Sequence, residues 1–411
     1  MSMDATLTMI MAGGQGERLY PLTKSKAKPA VTFGGNYRII DFTLSNCINT
    51  GIRRIYLLTQ YSNATLDDHM QRGWSIFNHE LGEFVRNLPP QKVHMDSWYR
   101  GTADSIFQNL GLIEANRPEH VLILSGDHVY KMDYRKMIRF HQEREADATL
   151  ACVPLPVSEC HHMGVIQVDD RFRVIGFQEK PRRPRPMPTD PTRALANMGV
   201  YVFKTESLVR ALVYNARRDT NHDFGKDIIP LLIKNNPVYA YTFRSEGCGE
   251  SNYWRDVGNI TAFYATHQEL LQEHPPFNLH EEEWPVRTFQ EQAPPAKIIN
   301  SKASAEGKKG NKEGMINNAL LCNGCVITDG YVHDSILSPF VRVEPSAVVD
   351  HSILMKGVSV GEHARLRKTV VDEGIVIPAH YSIGYDADED RRRFTVSETG
   401  VVVVPQGCIL D

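Results

Sequence analysis

The 411-residue sequence is poor in the features that mark several large protein classes. No apolar run approaches the roughly 20 residues that a membrane-spanning helix needs, so no segment reads as crossing a bilayer. The N-terminus Met1-Ser2-Met3-Asp4 lacks the basic and apolar regions of a signal peptide, and the expectation is a cytoplasmic chain. An excess of one charge is also missing: 46 Lys and Arg against 49 Asp and Glu leave a net charge of −3, which gives no reason to expect nucleic acid as a partner. The seven cysteines are scattered and odd in number, which suits a reducing compartment better than a disulfide framework. Only Cys322-Asn-Gly-Cys325 has metal-ligand spacing, and without a second pair it reads as small thiols at a turn. His161-His162 reads as a solvated loop feature, because adjacent side chains rarely converge on one ion.

What is present is ordinary in bulk, 42% hydrophobic and 23% charged, and specific in detail. The length exceeds one comfortable core, so two domains are expected. An apolar run, Leu7 to Met11, stops at Ala12-Gly13-Gly14-Gln15-Gly16, where Gly13, Gly14 and Gly16 let backbone N–H groups approach phosphate oxygens. Arg18 follows as a fork of donors. Lys28 lies ten residues beyond Arg18, so an intervening turn can fold it back as a second cation, with Pro21 and Pro29 stiffening the return. A dinucleotide fingerprint fails because Leu19 stands at its third glycine position, and a P-loop fails because Gly-Lys-Ser/Thr is absent. The pattern predicts a triphosphate-handling loop.

Strand-like runs alternate with helical patterns over the first ~285 residues, as in a mostly parallel sheet wrapped by helices. Ile55–Thr59, Val121–Leu124, Thr149–Val153 and Val200–Phe203 are the clearest strands. Ligands in such sheets collect at the carboxyl ends of strands. There Val121-Leu-Ile-Leu runs out into Gly126-Asp127-His128. A carboxylate beside a triphosphate is repelled unless a cation intervenes, so Asp127 is a candidate Mg²⁺ ligand; the alternative is an Asp capping the next turn. Asp256, in Tyr253-Trp-Arg-Asp-Val-Gly258, is the second carboxylate candidate. Glu179-Lys180-Pro181 closes another apolar run and offers a cation for a second substrate's phosphate and a carboxylate for sugar hydroxyls; taken alone, a surface charge pair before a turn is the better reading. Asn197-Met-Gly-Val-Tyr201 and His222-Asp-Phe-Gly-Lys-Asp227 add short polar groups flanked by glycine, the composition of a sugar site, while a simple turn is the alternative for each alone.

Seven blocks then occur in order: Gly34–Phe42, Ser45–Ile52, Gln71–Trp74, Trp98–Asp104, Gly126–Tyr130, His222–Lys226 and Tyr253–Gly258. Together with the glycine-rich loop they resemble the glucose-1-phosphate adenylyltransferases, a branch of the nucleotide-sugar pyrophosphorylases, over roughly residues 7 to 405. The resemblance implies a Rossmann-like nucleotidyltransferase sheet over residues 1–285, a linker over 286–317, and a left-handed parallel β-helix of hexapeptide repeats over 318–411. It implies ATP and glucose 1-phosphate as substrates, Mg²⁺ as cofactor, and a homotetramer. By position it implies that Gly13, Gly14, Gly16, Arg18, Lys28 and Gly101 bind ATP. Tyr99, Gly164, Glu179, Lys180, Asn197 and Asp223 fall to glucose 1-phosphate, Asp127 and Asp256 to the metal. Arg18, Lys28, Asp127, Lys180 and Asp256 are the implied catalytic set. Asn197 stands where the family pattern has serine. Rival readings are a different nucleotide, since phosphate and metal residues do not read the base, and a catalytically silent effector-binding subunit.

From about residue 318 the pattern changes. Val343, Val349, Met355, Val360, Leu366, Ile377 and Ile383 fall on steps of five and six residues, with Asp372 filling the one polar rung. Such spacing predicts a parallel β-helix with short strands on three faces. Hexapeptide domains also serve acyltransferases, and His333, His351, His363 and His380 are candidate acyl-transfer groups, although satisfied surface histidines are the better reading. Basic residues cluster at Lys24, Lys26 and Arg38 and again at Arg391-Arg392-Arg393. Solvated surface is the usual reading of such runs. The resemblance implies an anionic sugar-phosphate effector on Lys26, Arg38, Arg392 and Arg393.

Overall fold

The computed structural model describes residues 5–61, 64–90, 98–244, 252–300 and 315–410. The chain divides into two compact units that are not contiguous in sequence. The first holds Met1–Gly14, Phe42–Asn63 and Trp74–Trp254; the second holds Gln15–Asp41, Ala64–Gly73 and Arg255–Asp411. The triphosphate-type loop is thus shared out: Gly13 and Gly14 fall to the first unit, while Gly16, Arg18 and Lys28 fall to the second.

The first unit is built on a nine-stranded sheet. Its parallel half sets Thr6–Met11 between Arg54–Leu58 and His120–Ser125, with Phe84–Leu88 beyond Arg54–Leu58. These strands are almost continuously apolar because helices cover both faces; Leu7, Met9, Ile10, Val121, Leu122, Ile123 and Leu124 have no exposed surface. Each such side chain contributes about 1.5–3 kcal/mol of burial. Arg193–Lys204 then runs antiparallel to His120–Ser125, Ala148–Pro156 and Gly164–Val168, and its register slips between Asn197 and Tyr201. Gly199 sits inside that slip at φ +67, a left-handed conformation that suits glycine.

The second unit carries the β-helix. Short strands stack in parallel: Arg342–Val343 on Val326–Thr328, Ser359–Val360 on Arg342–Val343, and Val376–Ile377 on Ser359–Val360. A second side stacks Val348–Asp350, Arg365–Arg367 and Ser382–Ile383, and a third stacks Ile353–Leu354, Thr369–Val371 and Val402–Val404. The predicted ladder residues Val343, Val349, Met355, Val360, Leu366, Ile377 and Ile383 are all at most 1% exposed. Left-handed residues turn the corners: Asp329, Ser346, His363 and His380 form one column at a constant step of 17 residues. Asp334, His351 and Lys368 form another at the same step. The first rung lies ahead of residue 318. Strand Lys297–Ile299, inside the stretch expected to be linker, pairs in parallel with Val326–Thr328. Three residues are too few to display a period, so sequence spacing does not reveal that rung. Residues 301–314, also assigned to the linker, lie outside the described residues.

Asp372, the polar rung, is 1% exposed as a residue, and a buried carboxylate must find a partner. Lys26 supplies it, with Nζ at 3.0 Å from Oδ1 and at 3.4 Å from the Glu373 carboxylate. Arg38 Nη1 binds Glu373 Oε1 at 2.8 Å, and Thr32 Oγ1 donates to the same oxygen at 2.9 Å. Burial alone would raise the Glu373 carboxyl; the Arg38 and Lys26 charges outweigh it and hold the group down at about 2, below its ordinary 4.5. Its stabilising share is therefore present above pH 4.5 and is lost as pH falls through about 2.

Replacing Lys26 by Met strands a buried carboxylate and is expected to lower unfolding free energy by about 3–5 kcal/mol, whereas adding Asp372→Val should restore most of it. Urea denaturation of both variants checks this. Glu373→Gln should flatten the loss of stability between pH 4.5 and 2.

Candidate active site

In the second unit the chain Gln15–Asp41 returns on itself as its glycine and proline spacing predicts. Gly16 adopts φ +66, and a Cβ there would stand 2.9 Å from Lys28 Cβ and 3.0 Å from Thr23 Cγ2, so Lys28 packs directly against the glycine turn. Thr23 Oγ1 ties the turn by donating to Gly16 O at 3.0 Å. Lys28 opens a short 3₁₀ turn with Pro29 behind it, and only 6% of its side chain is exposed. Its Nζ lies 2.8 Å from Asp256 Oδ1, while Arg18 Nη2 lies 3.8 Å from Asp256 Oδ2. Three of the predicted catalytic residues therefore share one ion cluster. Gly258 leaves room for it, since a Cβ there would come within 2.8 Å of Asp256 Oδ1 and 3.0 Å of Arg18 Nη2.

In the first unit the predicted residues gather at strand ends. Asp127 follows His120–Ser125; Ser125 Oγ donates to its Oδ1, and His128 Nε2 stands 3.5 Å away. Thr43 Oγ1 donates to Ser125 O at 3.1 Å and fixes the strand end. Gly126 N donates to Met11 O at 3.0 Å, which pins the same turn to the neighbouring strand. Hard oxygen donors of this kind suit Mg²⁺.

Of the residues expected at glucose 1-phosphate, Glu179 lies close to Asp223. Thr102 Oγ1 donates to Asp223 Oδ2 at 2.9 Å, and Asp223 Oδ1 accepts from Lys226 N at 3.1 Å at the start of the turn Phe224–Ile228. Glu179 ends strand Val174–Glu179, and burial raises its carboxyl, with Lys180 opposing and Asp223 adding to the rise. Lys180 Nζ is 3.6 Å from Glu179 Oε1 and mostly exposed. Gly164 accommodates the Phe177 ring, which a Cβ would meet at 2.5 Å. Asn197 Nδ2 donates to Tyr201 OH at 2.7 Å across the strand slip, so the amide that replaces the expected serine is held by its own strand. Tyr99 OH accepts from Asn109 Nδ2 at 3.2 Å, and burial raises the phenol. Gly101 is extended, yet a Cβ there would lie 2.3 Å from Asn221 O and 2.4 Å from His222 O. That close approach brings the Trp98–Asp104 block against the His222–Lys226 block.

Sequence reasoning missed Ser125, Thr102, Lys226 and Tyr201 as supports of these groups. All four lie inside quoted motifs or beside them, but hydroxyl partners and a backbone N–H that caps a carboxylate leave no spacing signal. The four candidate effector residues are each ion-paired: Lys26 and Arg38 as described, Arg392 Nη2 with Glu389 Oε2, and Arg393 Nη1 with Glu389 Oε1 at 3.7 Å. Among the described residues the six cysteines are free; Cys325 is buried, with Sγ donating to Ser338 O at 3.1 Å. Cys248 lies outside the described residues. Among these residues no helix is long and apolar enough to cross a membrane.

Two family models match, the nucleotidyl transferase model over residues 7–273 and the GlmU-like C-terminal hexapeptide model over residues 294–404. The chain is 45% identical to the glucose-1-phosphate adenylyltransferase of Koribacter versatilis over 98% of its own length and 95% of the relative's. It is 46% identical to glucose-1-phosphate adenylyltransferase 2 of Vibrio cholerae over 98% of both chains, and 44% identical to the enzyme of that name from Methylococcus capsulatus over 98% and 94%. This chain belongs to the glucose-1-phosphate adenylyltransferase family. It is a nucleotidyltransferase, with a parallel-rich sheet followed by a hexapeptide β-helix.

Gly101→Ala should cost about 1–3 kcal/mol of stability, because backbone oxygens cannot yield as a side chain can. Tyr99 and Asp223 should shift with it, read as a raised KM together with a lowered midpoint of thermal unfolding.

Proposed function

We propose that the chain transfers the adenylyl group of ATP to α-D-glucose 1-phosphate, giving ADP-glucose and diphosphate for α-glucan synthesis, with Mg²⁺ held by the carboxylates of Asp127 and Asp256. The choice of nucleotide and sugar is supported by the names of the relatives; the chemistry is supported above all by the ion cluster of Lys28, Arg18 and Asp256. When bound, the metal supplies charge neutralisation on the phosphates.

A phosphate oxygen of glucose 1-phosphate attacks the α-phosphorus of ATP; that P–O bond forms as the bond to the β-phosphate oxygen breaks, and diphosphate leaves with the electron pair. No protein nucleophile takes part, so positioning and charge carry the rate. Lys28 and Arg18 hold the leaving diphosphate, with Lys28 the more effective because it is nearly out of water. Lys180 takes the sugar phosphate, while Glu179 and Asp223 accept hydrogen bonds from hydroxyls of the glucose. Asn197, with its amide nitrogen donating to Tyr201 OH and its oxygen accepting from Gly199 N at 3.4 Å, keeps one lone pair of that oxygen for the sugar in place of the serine hydroxyl. The same reading includes a homotetramer assembled through the β-helix and an anionic metabolite effector on Lys26, Arg38, Arg392 and Arg393. Such an effector must compete with Glu373, Asp372 and Glu389 for those cations.

Diphosphate release from glucose 1-phosphate and Mg²⁺, measured separately with ATP, UTP, GTP, CTP and dTTP, tests the reading. Release is expected with ATP and to fall at least about 100-fold in Asp127→Asn and in Lys28→Ala. Turnover with another nucleotide alone would move the assignment to a different pyrophosphorylase, and none with any nucleotide would favour a silent subunit.

A further inference from the structure

One corner of the β-helix gathers two histidines and two aspartates for which the nucleotidyl transfer has no use. Tyr331–Leu337 and Val348–Asp350 are stacked so that His333 pairs in register with Asp350. Asp334 and His351 are the next residues and occupy one corner column, at φ +43 and +45. The order His-Asp on one coil and Asp-His on the next sets the four side chains on a diagonal grid, with the imidazole centroids 5.4 Å apart. His351 Nδ1 lies 2.7 Å and His333 Nδ1 3.0 Å from Asp350 Oδ1; His351 Nε2 lies 3.2 Å and His333 Nδ1 3.4 Å from Asp334 Oδ2. Arg367 Nε leans on the other oxygen of Asp350 at 3.7 Å.

Both ring nitrogens of His351 face a carboxylate oxygen. A neutral ring carries one proton, so one lone pair would point at an anion. A cation among these groups removes that conflict. We propose that His333, Asp334, Asp350 and His351 form a binding site for a first-row divalent ion of the zinc type, which staples two successive coils of the β-helix.

Ligand atoms of His333, Asp334 and His351 lie within 4.8 Å of one another. Tetrahedral zinc with bonds of about 2.0–2.2 Å sets its ligands about 3.3 Å apart, within reach of small side-chain rotations. Two imidazoles select zinc, cobalt or nickel over magnesium and calcium. The backbone is already fixed: Tyr264 Oη donates to His351 O at 2.8 Å, and Gln268 Nε2 donates to Asp334 O at 3.4 Å. The rings remain open to solvent, with 44% and 45% of the His333 and His351 side chains exposed.

The test titrates the full chain with Zn²⁺ against a chromogenic chelator and with Co²⁺ by its visible ligand-field absorption. One equivalent per chain is expected in the wild type and in Asp127→Asn, which separates this site from the proposed Mg²⁺ ligands. The double variant His333→Gln, His351→Gln should bind it at least about 100-fold more weakly. Mass spectrometry of the wild type after carbethoxylation provides a measurement that needs no variant: Zn²⁺ should protect His333 and His351 while leaving His161 and His162 reactive. No binding by the wild type at millimolar metal, unchanged binding by the double variant, or no protection of the two histidines would each overturn the site.

Discussion

The buried contact between Lys26 and Asp372 is the constraint on which most of the second unit depends. Two opposite charges, 5% and 2% exposed at the side chain, are stable only as a pair, because either alone would carry an uncompensated desolvation cost of several kcal/mol. The pair joins residues 346 positions apart and sets where the segment Gln15–Asp41 ends its return. Lys28, two residues on, is thereby held near Gly16 and Asp256, and Arg38 is held on Glu373. The β-helix is therefore a structural partner of the phosphate-type loop, in addition to being a stack of its own.

The first unit solves a different problem. The polar groups at its strand ends are fixed by short hydroxyl side chains and by a backbone N–H group. Ser125 and Thr43 settle Asp127, while Thr102 and Lys226 N settle Asp223. Glycine allows the segments to meet: Gly101 brings two blocks within backbone contact, and Gly164 admits an aromatic ring. The raised carboxyl of Glu179 follows from that closeness, since burial and the neighbouring Asp223 both disfavour its charge.

Much of this was legible in the sequence where a period or a fixed spacing carries the signal. The five- and six-residue ladder gave the β-helix, and Gly16 with Pro21 and Pro29 gave the return of Lys28. Asp372 was visible as an exception to the ladder, but its partner was not, because nothing local relates positions 26 and 372. The rung at Lys297–Ile299 was too short to show a period, and it sits inside what read as linker. The amide of Asn197 was expected to face the sugar; its bond to Tyr201 arises from a register slip that only tertiary pairing creates. The basic residues that the resemblance assigns to an effector read as solvated or ligand-seeking in sequence, and in the fold each is ion-paired, Lys26 and Arg38 sharing Glu373 and Arg392 and Arg393 sharing Glu389.

The constant 17-residue coil step has a consequence for how this part of the chain can change in length. Between Tyr331 and Ile383 the strand columns keep the same stride, so inserting one or two residues on a side there shifts the later residues of that stretch out of their columns and exposes apolar rungs; outside it the spacing changes, with Val326 paired to Arg342 and Thr369 to Val402. Inserting a whole coil preserves every alignment and adds a layer to the stack. Viable changes of length within that stretch are therefore quantised.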